Sequence, residues 1–192
     1  MPAGHRFRSA AQRFVDWSLQ QEEGDGWFRK NCLNDNDQPL LHTIAYTAEG
    51  QLEAGRLLND ARAVEAAGRT ARALAIRVGE KGNMAGRYDR NWKPTVRWAC
   101  LTGMAQMSRV WSQLYSMTEE TIFSEAAERV NGFLKSTHDL TSRNHALRGG
   151  IRGSFPVNGA YCRYRIPNWA TKFFLDALLY APATGWQAVF KG

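Results

Sequence analysis

Polar side chains at helical spacing on otherwise apolar segments are the first residues in this sequence that could do chemistry. His42, Tyr46 and Glu49 lie at positions i, i+4 and i+7 of one such segment, so they would share one helix face. His42 would serve as a base and Glu49 as a carboxylate. Two further stripes have comparable spacing: Asn168, Lys172 and Asp176, and Trp98, Thr102 and Gln106. They would add a cation, Lys172, and an aromatic platform, Trp98.

Each stripe also has a structural interpretation. Polar residues on apolar helices are more often hydrogen-bonded by their neighbours than catalytic. Perturbed polar groups also occur in ion-pair networks that have no function beyond structure. Both interpretations stay open for His42 and for the set that contains Lys172.

A basic stretch, residues 139–166, is the second place where a ligand could bind. It contains five arginines and three interleaved aromatic residues: Arg143, Arg148, Arg152, Arg163, Arg165, Phe155, Tyr161 and Tyr164. Guanidinium groups suit carboxylate or phosphate oxygens, and aromatic faces stack against sugar rings or bases. An acidic glycan, such as a uronic-acid polymer, would use both features. The alternative is that these arginines cap helix C-termini and pair with glutamates.

A third group of residues lies in segment 86–92, where Arg87, Tyr88, Asp89 and Trp92 could contact a sugar. Hydrolysis of a glycosidic bond normally uses two facing carboxyl groups. We therefore expect Asp89 to pair with Glu49 or with Asp25. A lyase would instead combine an arginine with a base. The residues for that chemistry are Arg152 or Arg163 with Tyr88, Tyr161 or His42. Alternatively, the aromatic residues of this segment simply pack the surface.

The elements that would position these residues form three passes of one pattern. Each pass has an amphipathic, alanine-rich helix, a long polar loop, a helix that is apolar on most of its surface, and a short turn. The predicted outer helices are 9–23, 60–78 and 119–134, and the predicted inner helices are 40–58, 95–115 and 168–180. A proline precedes each inner helix, where its missing N–H costs little: Pro39, Pro94 and Pro167. Asn59, Asp60 and Thr118 are the expected N-cap residues.

The long loops, 24–38, 80–93 and 139–166, should all emerge on one rim of the stack, which is therefore the predicted functional face. Segment 148–165 could pair locally as a short hairpin. We predict one all-α domain over residues 1–192, with repeats at about 9–59, 60–117 and 118–182.

Four segments together resemble the α/α toroids: 39–50 (PLLHTIAYTAEG), 100–106 (CLTGMAQ), 149–156 (GGIRGSFP) and 167–174 (PNWATKFF). This superfamily includes six-hairpin glycosidases, polysaccharide lyases, sugar epimerases and terpenoid cyclases. The resemblance is more specific to toroid proteins of unassigned activity found with bacterial exopolysaccharide biosynthesis. It implies a partial toroid, because a closed ring needs about twice the three hairpins counted here. A homodimer or a longer chain would complete the ring.

Composition narrows the possible partners. The chain has 192 residues and a net charge of +7, which favours anionic partners. It contains no run of 18 apolar residues and no secretory signal, and its three scattered cysteines indicate a cytoplasmic protein. Nucleotide-binding and metalloprotease motifs are absent, so no cofactor or metal is predicted. Binding sites are expected at Trp92, Trp98, Arg148, Arg152, Tyr161, Arg163, Asn168 and Lys172.

These features predict a protein that handles an anionic bacterial polysaccharide or its precursor, as a hydrolase or a lyase. The alternative is a non-catalytic module that binds glycan or protein within a polysaccharide assembly system. Nucleic-acid binding is the weakest alternative, because the arginines concentrate in one loop.

Overall fold

The computed structural model describes residues 3–181, most of which are helical. The helices are α1 (Ala3–Leu19), α2 (Leu41–Leu58), α3 (Ala61–Ala75), α4 (Leu101–Thr118), α5 (Thr121–Ser136) and α6 (Asn168–Tyr180). Two short strands, β1 (Ala99–Cys100) and β2 (Ser154–Phe155), lie in the loops. The predicted all-α class and the three helical hairpins are confirmed. Residues 1–2 and 182–192 of the predicted domain lie outside the described residues.

The helices form an inner layer (α2, α4 and α6) and an outer layer (α1, α3 and α5). Helix α4 packs against α2, α5 and α6, and α2 also packs against α3. Trp111 of α4 is fully buried, and its indole N–H donates to the carbonyl of Ala71 on α3 at 2.9 Å. Gly103 lets the start of α2 approach α4, since a Cβ there would lie 2.6 Å from the backbone nitrogen of His42. This close approach sets His42 against α4.

The two short turns begin with the same backbone conformation. Asn59 ends α2 and Glu119 ends α4 in the left-handed conformation, with φ of 59° in both cases. Asp60 then caps α3, as expected, by accepting a hydrogen bond from the backbone of Arg62. The expectation for Thr118 is wrong, because Glu120 occupies the N-cap position of α5. The Thr118 hydroxyl instead accepts from the backbone nitrogen of Glu120 at 3.3 Å.

Helix boundaries next to the rim differ from the prediction. The second inner helix begins at Leu101 rather than Thr95. The residues after Pro94 are not helical: the chain bends at Arg97 and Trp98 and then forms β1. The first outer helix spans Ala3–Leu19 rather than 9–23. It stops where the chain turns towards Gly24 and Gly26, both at φ of 85°.

Backbone pairing joins the long loops to one another. Strand β1 pairs antiparallel with β2, so the glycine-rich segment 148–165 pairs with the preceding loop. It also pairs with itself, as predicted: the backbone N–H of Gly153 donates to the carbonyl of Arg165 at 3.2 Å, and that of Tyr164 to the carbonyl of Val157 at 2.8 Å. Isolated bridges join Leu40 to Arg87 and Tyr88 to Pro94. The rim of long loops is therefore a connected layer over the N-terminal ends of the inner helices.

Candidate functional site

An open groove of about 490 Å³ lies between α2 and α6, on the face of the inner layer that points away from the outer helices. It is lined by Tyr46, Glu49, Gly50, Glu53, Trp169, Lys172 and Phe173. Two of these, Glu49 and Lys172, are predicted site residues. The groove thus combines aromatic walls with charged groups from two inner helices.

The aromatic walls converge near the rim. The Tyr46 and Phe173 ring centroids lie 5.7 Å apart, and the His42 ring lies 4.6 Å from Tyr46. Trp169 donates its indole N–H to the Tyr161 hydroxyl at 2.8 Å, which holds the indole in place. Tyr46 remains 51% exposed and Trp169 43% exposed, so both rings are available to a ligand.

A chain of polar contacts runs along the inner face behind these rings. Arg109 of α4 forms an ion pair with Glu49 and a second with Glu53, whose carboxylate lies 2.9 Å from the guanidinium. The Gln106 amide lies 3.2 Å from the Glu49 carboxylate and 2.5 Å from Nδ1 of His42. The side chains of Glu49 and Arg109 are each only 14% exposed. The negative charge of the Glu49 carboxylate is therefore balanced by Arg109, and the carboxylate also accepts a hydrogen bond from Gln106.

His42 is almost buried between α4 and the aromatic walls. Burial lowers the pKa of its imidazole below the usual value, although the hydrogen bond to Gln106 opposes this shift. The ring is therefore neutral at pH 7, as a proton acceptor must be. Its contact with Tyr161, at 5.4 Å between ring centroids, ties it to the third long loop.

On α6 the predicted stripe divides into two parts. Lys172 pairs with Asp176 at 2.7 Å, and its ammonium lies 4.3 Å from the centroid of the Phe173 ring. Asn168 is exposed at the first position of the helix. Lys172 is thus the residue of this set that borders the groove.

The structure places the predicted residues of the second loop away from the groove. Tyr88 is fully buried, and its hydroxyl accepts from the backbone of Ala85 at 3.2 Å. Burial raises the pKa of Tyr88 to about 12, so this phenol has neither the access nor the acidity for proton transfer. Trp92 is buried against Trp27 with a centroid distance of 5.2 Å. Both residues support the loop from within.

The remaining predicted stripe, Trp98–Thr102–Gln106, does not form one helix face. Trp98 precedes α4, and its ring covers Gly86, where a Cβ would lie 2.3 Å from the ring. Thr102 and Gln106 are fully buried within α4. Trp98 is therefore a packing residue of the loop, and Gln106 alone reaches the groove residues.

Of the two carboxylate pairs predicted for hydrolysis, Asp89 with Glu49 is not formed, because these residues line different cavities. Asp89 lines a second cavity of about 430 Å³ between the first two loops, apart from the groove that contains Glu49. Its carboxylate accepts from the backbone of Asn91 and Lys93, each at 2.9 Å. Asp25 forms an ion pair with Arg90 at 2.7 Å.

The arginines of the third loop lie at the rim. Arg148 and Arg163 are exposed and Arg152 is half-buried. Arg148 approaches His145 at 2.9 Å. Tyr161 belongs to the same loop and contacts both Trp169 and His42, so the loop closes the rim end of the groove. Burial raises the pKa of Tyr161 to about 12, and its phenol is therefore neutral at pH 7.

Within residues 3–181 no three His, Cys, Asp or Glu side chains cluster as metal ligands. The helices of that same part of the chain are all too short or too polar to cross a bilayer.

Solved structures with a similar fold include a glycosaminoglycan-degrading unsaturated glucuronyl hydrolase from Bacillus sp. GL1. It is 22% identical with a TM-score of 0.69, over 91% of this chain and 52% of that protein. Cellobiose 2-epimerase from Spirochaeta thermophila is 15% identical with a TM-score of 0.68, over 100% of this chain and 51% of the enzyme. The epimerase from Bacillus thermoamylovorans is 13% identical with a TM-score of 0.65, over 89% of this chain and 46% of the enzyme.

The fold is that of a partial α/α toroid. The chain spans about half the length of the toroids it matches. At these identities the likeness concerns the fold alone. No protein-family model matches the sequence, and no curated protein matches it.

Of the residues that line the groove, sequence analysis did not select Gly50, Glu53, Trp169 or Phe173, nor Arg109 behind them. Arg109 follows Gln106 by three positions on α4, and the facing helix carries Glu49 and Glu53 four positions apart. That pattern of one arginine opposite two glutamates is the signal that would have found Arg109. Trp169 lies directly after the predicted residue Asn168, but its exposure in the groove follows only from how α6 is rotated.

Proposed function

We propose that the groove between α2 and α6 binds a carbohydrate. The observation that carries this proposal is the pair of half-exposed rings, Tyr46 and Trp169, which stand on facing helices above the polar chain. Aromatic faces stack on sugar rings, and hydroxyl groups require acceptors and donors such as those beneath them. The sugar-acting enzymes among the similar folds support the proposal.

An anionic sugar is the class we propose, as in a bacterial polysaccharide or its precursor made in the cytoplasm. The groove itself is not cationic, because its three carboxylates outnumber its two cations: Glu49, Glu53 and Asp176 against Arg109 and Lys172. The acidic group should therefore lie at the rim end, near Arg152 and Arg163 of the third loop. The net charge of +7 would help to attract such a ligand.

If the groove also catalyses a reaction, lyase-type chemistry suits it better than hydrolysis. Hydrolysis uses two carboxyl groups on opposite sides of the bond. Glu49 is held by Arg109 and Gln106, and Asp89 lies in another cavity. His42 is neutral and borders the aromatic walls, so it is the base that this arrangement offers.

Calorimetric titration with an unsaturated glucuronyl disaccharide, and with cellobiose as the neutral counterpart, tests the proposal. Trp169→Ala should weaken binding of the acidic disaccharide at least tenfold, because one stacking face is lost. Phe155→Ala is the matched control. Phe155 is 45% exposed, close to the 43% of Trp169, but it packs against Phe133 of the outer helix α5.

Equal affinity for both disaccharides would refute the proposal that the ligand is an anionic sugar. Binding that survives Trp169→Ala unchanged would remove the groove as the site. A protein that binds neither sugar would favour a scaffold role instead.

A second copy of this chain is the partner we propose, since it could complete the ring. Both ends of the repeat expose apolar side chains. Phe7, Phe14 and Trp17 form a stripe on α1, and Leu175 and Leu179 form another on α6. Pairing each α6 edge with the α1 edge of the other copy would cover both stripes. The length of the matched toroids, about twice that of this chain, supports this arrangement.

Light scattering of the purified chain tests this pairing. We expect a dimer mass for the unmodified protein and a monomer mass for Phe14→Glu. Ile76→Glu is the control, because Ile76 has a similar exposure, 68% against 66%, but lies at the end of α3. A monomer at every concentration, or equal effects of the two variants, would overturn the dimer.

A further inference from the structure

Donors and acceptors can be assigned along the polar chain on the inner face, starting from Arg109. At the first end, the Arg109 guanidinium offers only donors, and the paired Glu49 carboxylate offers only acceptors. The other Glu49 oxygen faces the Gln106 amide at 3.2 Å. The opposite atom of that amide faces Nδ1 of His42 at 2.5 Å.

The orientation of the Gln106 amide follows from these neighbours. Its nitrogen must face Glu49, because the reverse orientation would set two acceptor oxygens against each other at 3.2 Å. Its oxygen then faces His42 and needs a donor. Nδ1 of His42 must therefore carry the hydrogen. Gln106 is fully buried, so water cannot offer the amide an alternative partner.

The other ring nitrogen of His42 is left free. Within residues 3–181, the contact with Gln106 is the ring's hydrogen bond, and the surrounding groups are the aromatic rings of Tyr46, Tyr161 and Phe173. A neutral imidazole with its hydrogen on Nδ1 has a lone pair on Nε2. His42 lies behind Tyr46 and Phe173, which line the groove, so this lone pair is the acceptor that the polar chain offers from behind these rings.

We propose that Gln106 and Glu49 are positioning residues that hold His42 as the Nδ1–H tautomer and leave Nε2 as a hydrogen-bond acceptor for the groove ligand. The ligand group that fits this nitrogen is a hydroxyl donor. A carboxylate oxygen does not fit it, since both atoms would be acceptors. The identity of the ligand as a sugar rests on the proposed function, but the tautomer does not.

Long-range proton–nitrogen NMR spectra of the histidine rings test the proposal in the ligand-free protein. We expect Nδ1 of His42 at the shift of a protonated ring nitrogen and Nε2 at that of an unprotonated one. His138 is an internal reference of opposite type, because its Nε2 donates to the carbonyl of Gly149 at 2.7 Å. A His42 ring that is Nε2–H, or averaged between the two forms, overturns the proposal.

Two variants separate the role of Glu49 from a general effect on the ion pairs. Glu49→Gln presents Gln106 with an uncharged amide, so the preference for Nδ1–H should be lost and the two nitrogen shifts of His42 should move towards each other. Glu53→Gln removes a carboxylate that binds the same guanidinium at 2.9 Å and also accepts hydrogen bonds from Gln113 at 2.7 Å and from Arg56 at 3.5 Å. It should leave the His42 shifts unchanged.

Unchanged His42 shifts in Glu49→Gln would overturn the positioning role of Glu49. The NMR measurement uses no sugar, so its result does not depend on the proposed function. A protein that binds no glycan would contradict the proposed function but not the tautomer of His42. The spectrum of the unmodified protein also decides the tautomer without any variant, should Glu49→Gln fail to fold.

Discussion

Replacing Arg109 by methionine should destabilise the protein far more than the loss of two solvent-exposed ion pairs would. The change keeps most of the side-chain volume but leaves Glu49 facing α4 without its cation, while Glu53 keeps, of its two cations, only Arg56 at 3.5 Å. Removing one partner of a fully buried pair costs about 3–5 kcal/mol. The side chains of Arg109 and Glu49 are 14% exposed and that of Glu53 is 33% exposed, so solvent relieves part of this penalty. We expect a loss of about 2–4 kcal/mol.

Arg72→Met is the matched control for this substitution. Arg72 also combines a glutamate partner, Glu120, with an aromatic neighbour, Phe123, just as Arg109 has Tyr180. Its ion pair is much more exposed, at 46% and 37%. Exposed pairs contribute about 0–1 kcal/mol, so this variant should lose no more than that.

Urea unfolding followed by circular dichroism measures both losses from the midpoints at a common slope. A double-mutant cycle between Arg109→Met and Glu49→Gln should give a coupling energy of about 1–3 kcal/mol. Equal losses for Arg109→Met and Arg72→Met would refute the argument that burial sets the difference. A coupling energy near zero would refute the assignment of Glu49 as the partner.

Three further outcomes follow from the described geometry. Gly26→Ala should cost several times as much unfolding free energy as Gly24→Ala, because both lie at φ of 85° but only the first Cβ would collide, at 2.3 Å, with the backbone of Thr70. Denaturant midpoints compare them, and equal losses would contradict the collision. Asp60→Ala should lose about 1 kcal/mol of helix capping at pH 7. Arg62 lowers the pKa of Asp60 to about 2, so this deficit should shrink as the pH falls from about 4 towards 2; a deficit that persists at pH 2 would contradict it. Burial lowers the pKa of His42, so its contribution to stability is present above about pH 6.5 and is lost as the pH falls. An NMR titration should show a pKa below 6.5, and a value above it would contradict the burial argument.

The helical architecture could be predicted because its signals are local. Apolar periodicity identified all six helices, and Asp60 marked the start of α3 through its capping chemistry. Proline was a weaker guide. Pro39 and Pro167 lie within two residues of a helix start, but Pro94 precedes a non-helical segment that ends in β1, and α4 begins seven residues later. The pairing of β1 with β2 across two loops, which favours that non-helical segment, has no local signal.

The candidate site could be predicted only in part. The spacing of His42, Tyr46 and Glu49 correctly placed them on one face of α2. Tyr88 and Trp92 had the residue types of a sugar site, yet their burial depends on how the second loop folds over Trp27. Residue type and helical spacing can assign a face, but depth below the surface depends on contacts that are distant in the sequence.

The two ends of the groove are held together by different kinds of contact. At the rim end, near His42 and Trp169, the β1–β2 pair and the isolated bridges join the loops of neighbouring hairpins through backbone hydrogen bonds. At the opposite end the hairpins finish in two-residue turns at Asn59 and Glu119, where no such backbone pairing is seen within residues 3–181. There α2 and α4 are joined by side chains instead, since Arg109 and Gln113 both donate to Glu53. We expect a ligand longer than one sugar ring to be held at the rim end, near His42 and Trp169, and to extend from there towards the turns at Asn59 and Glu119.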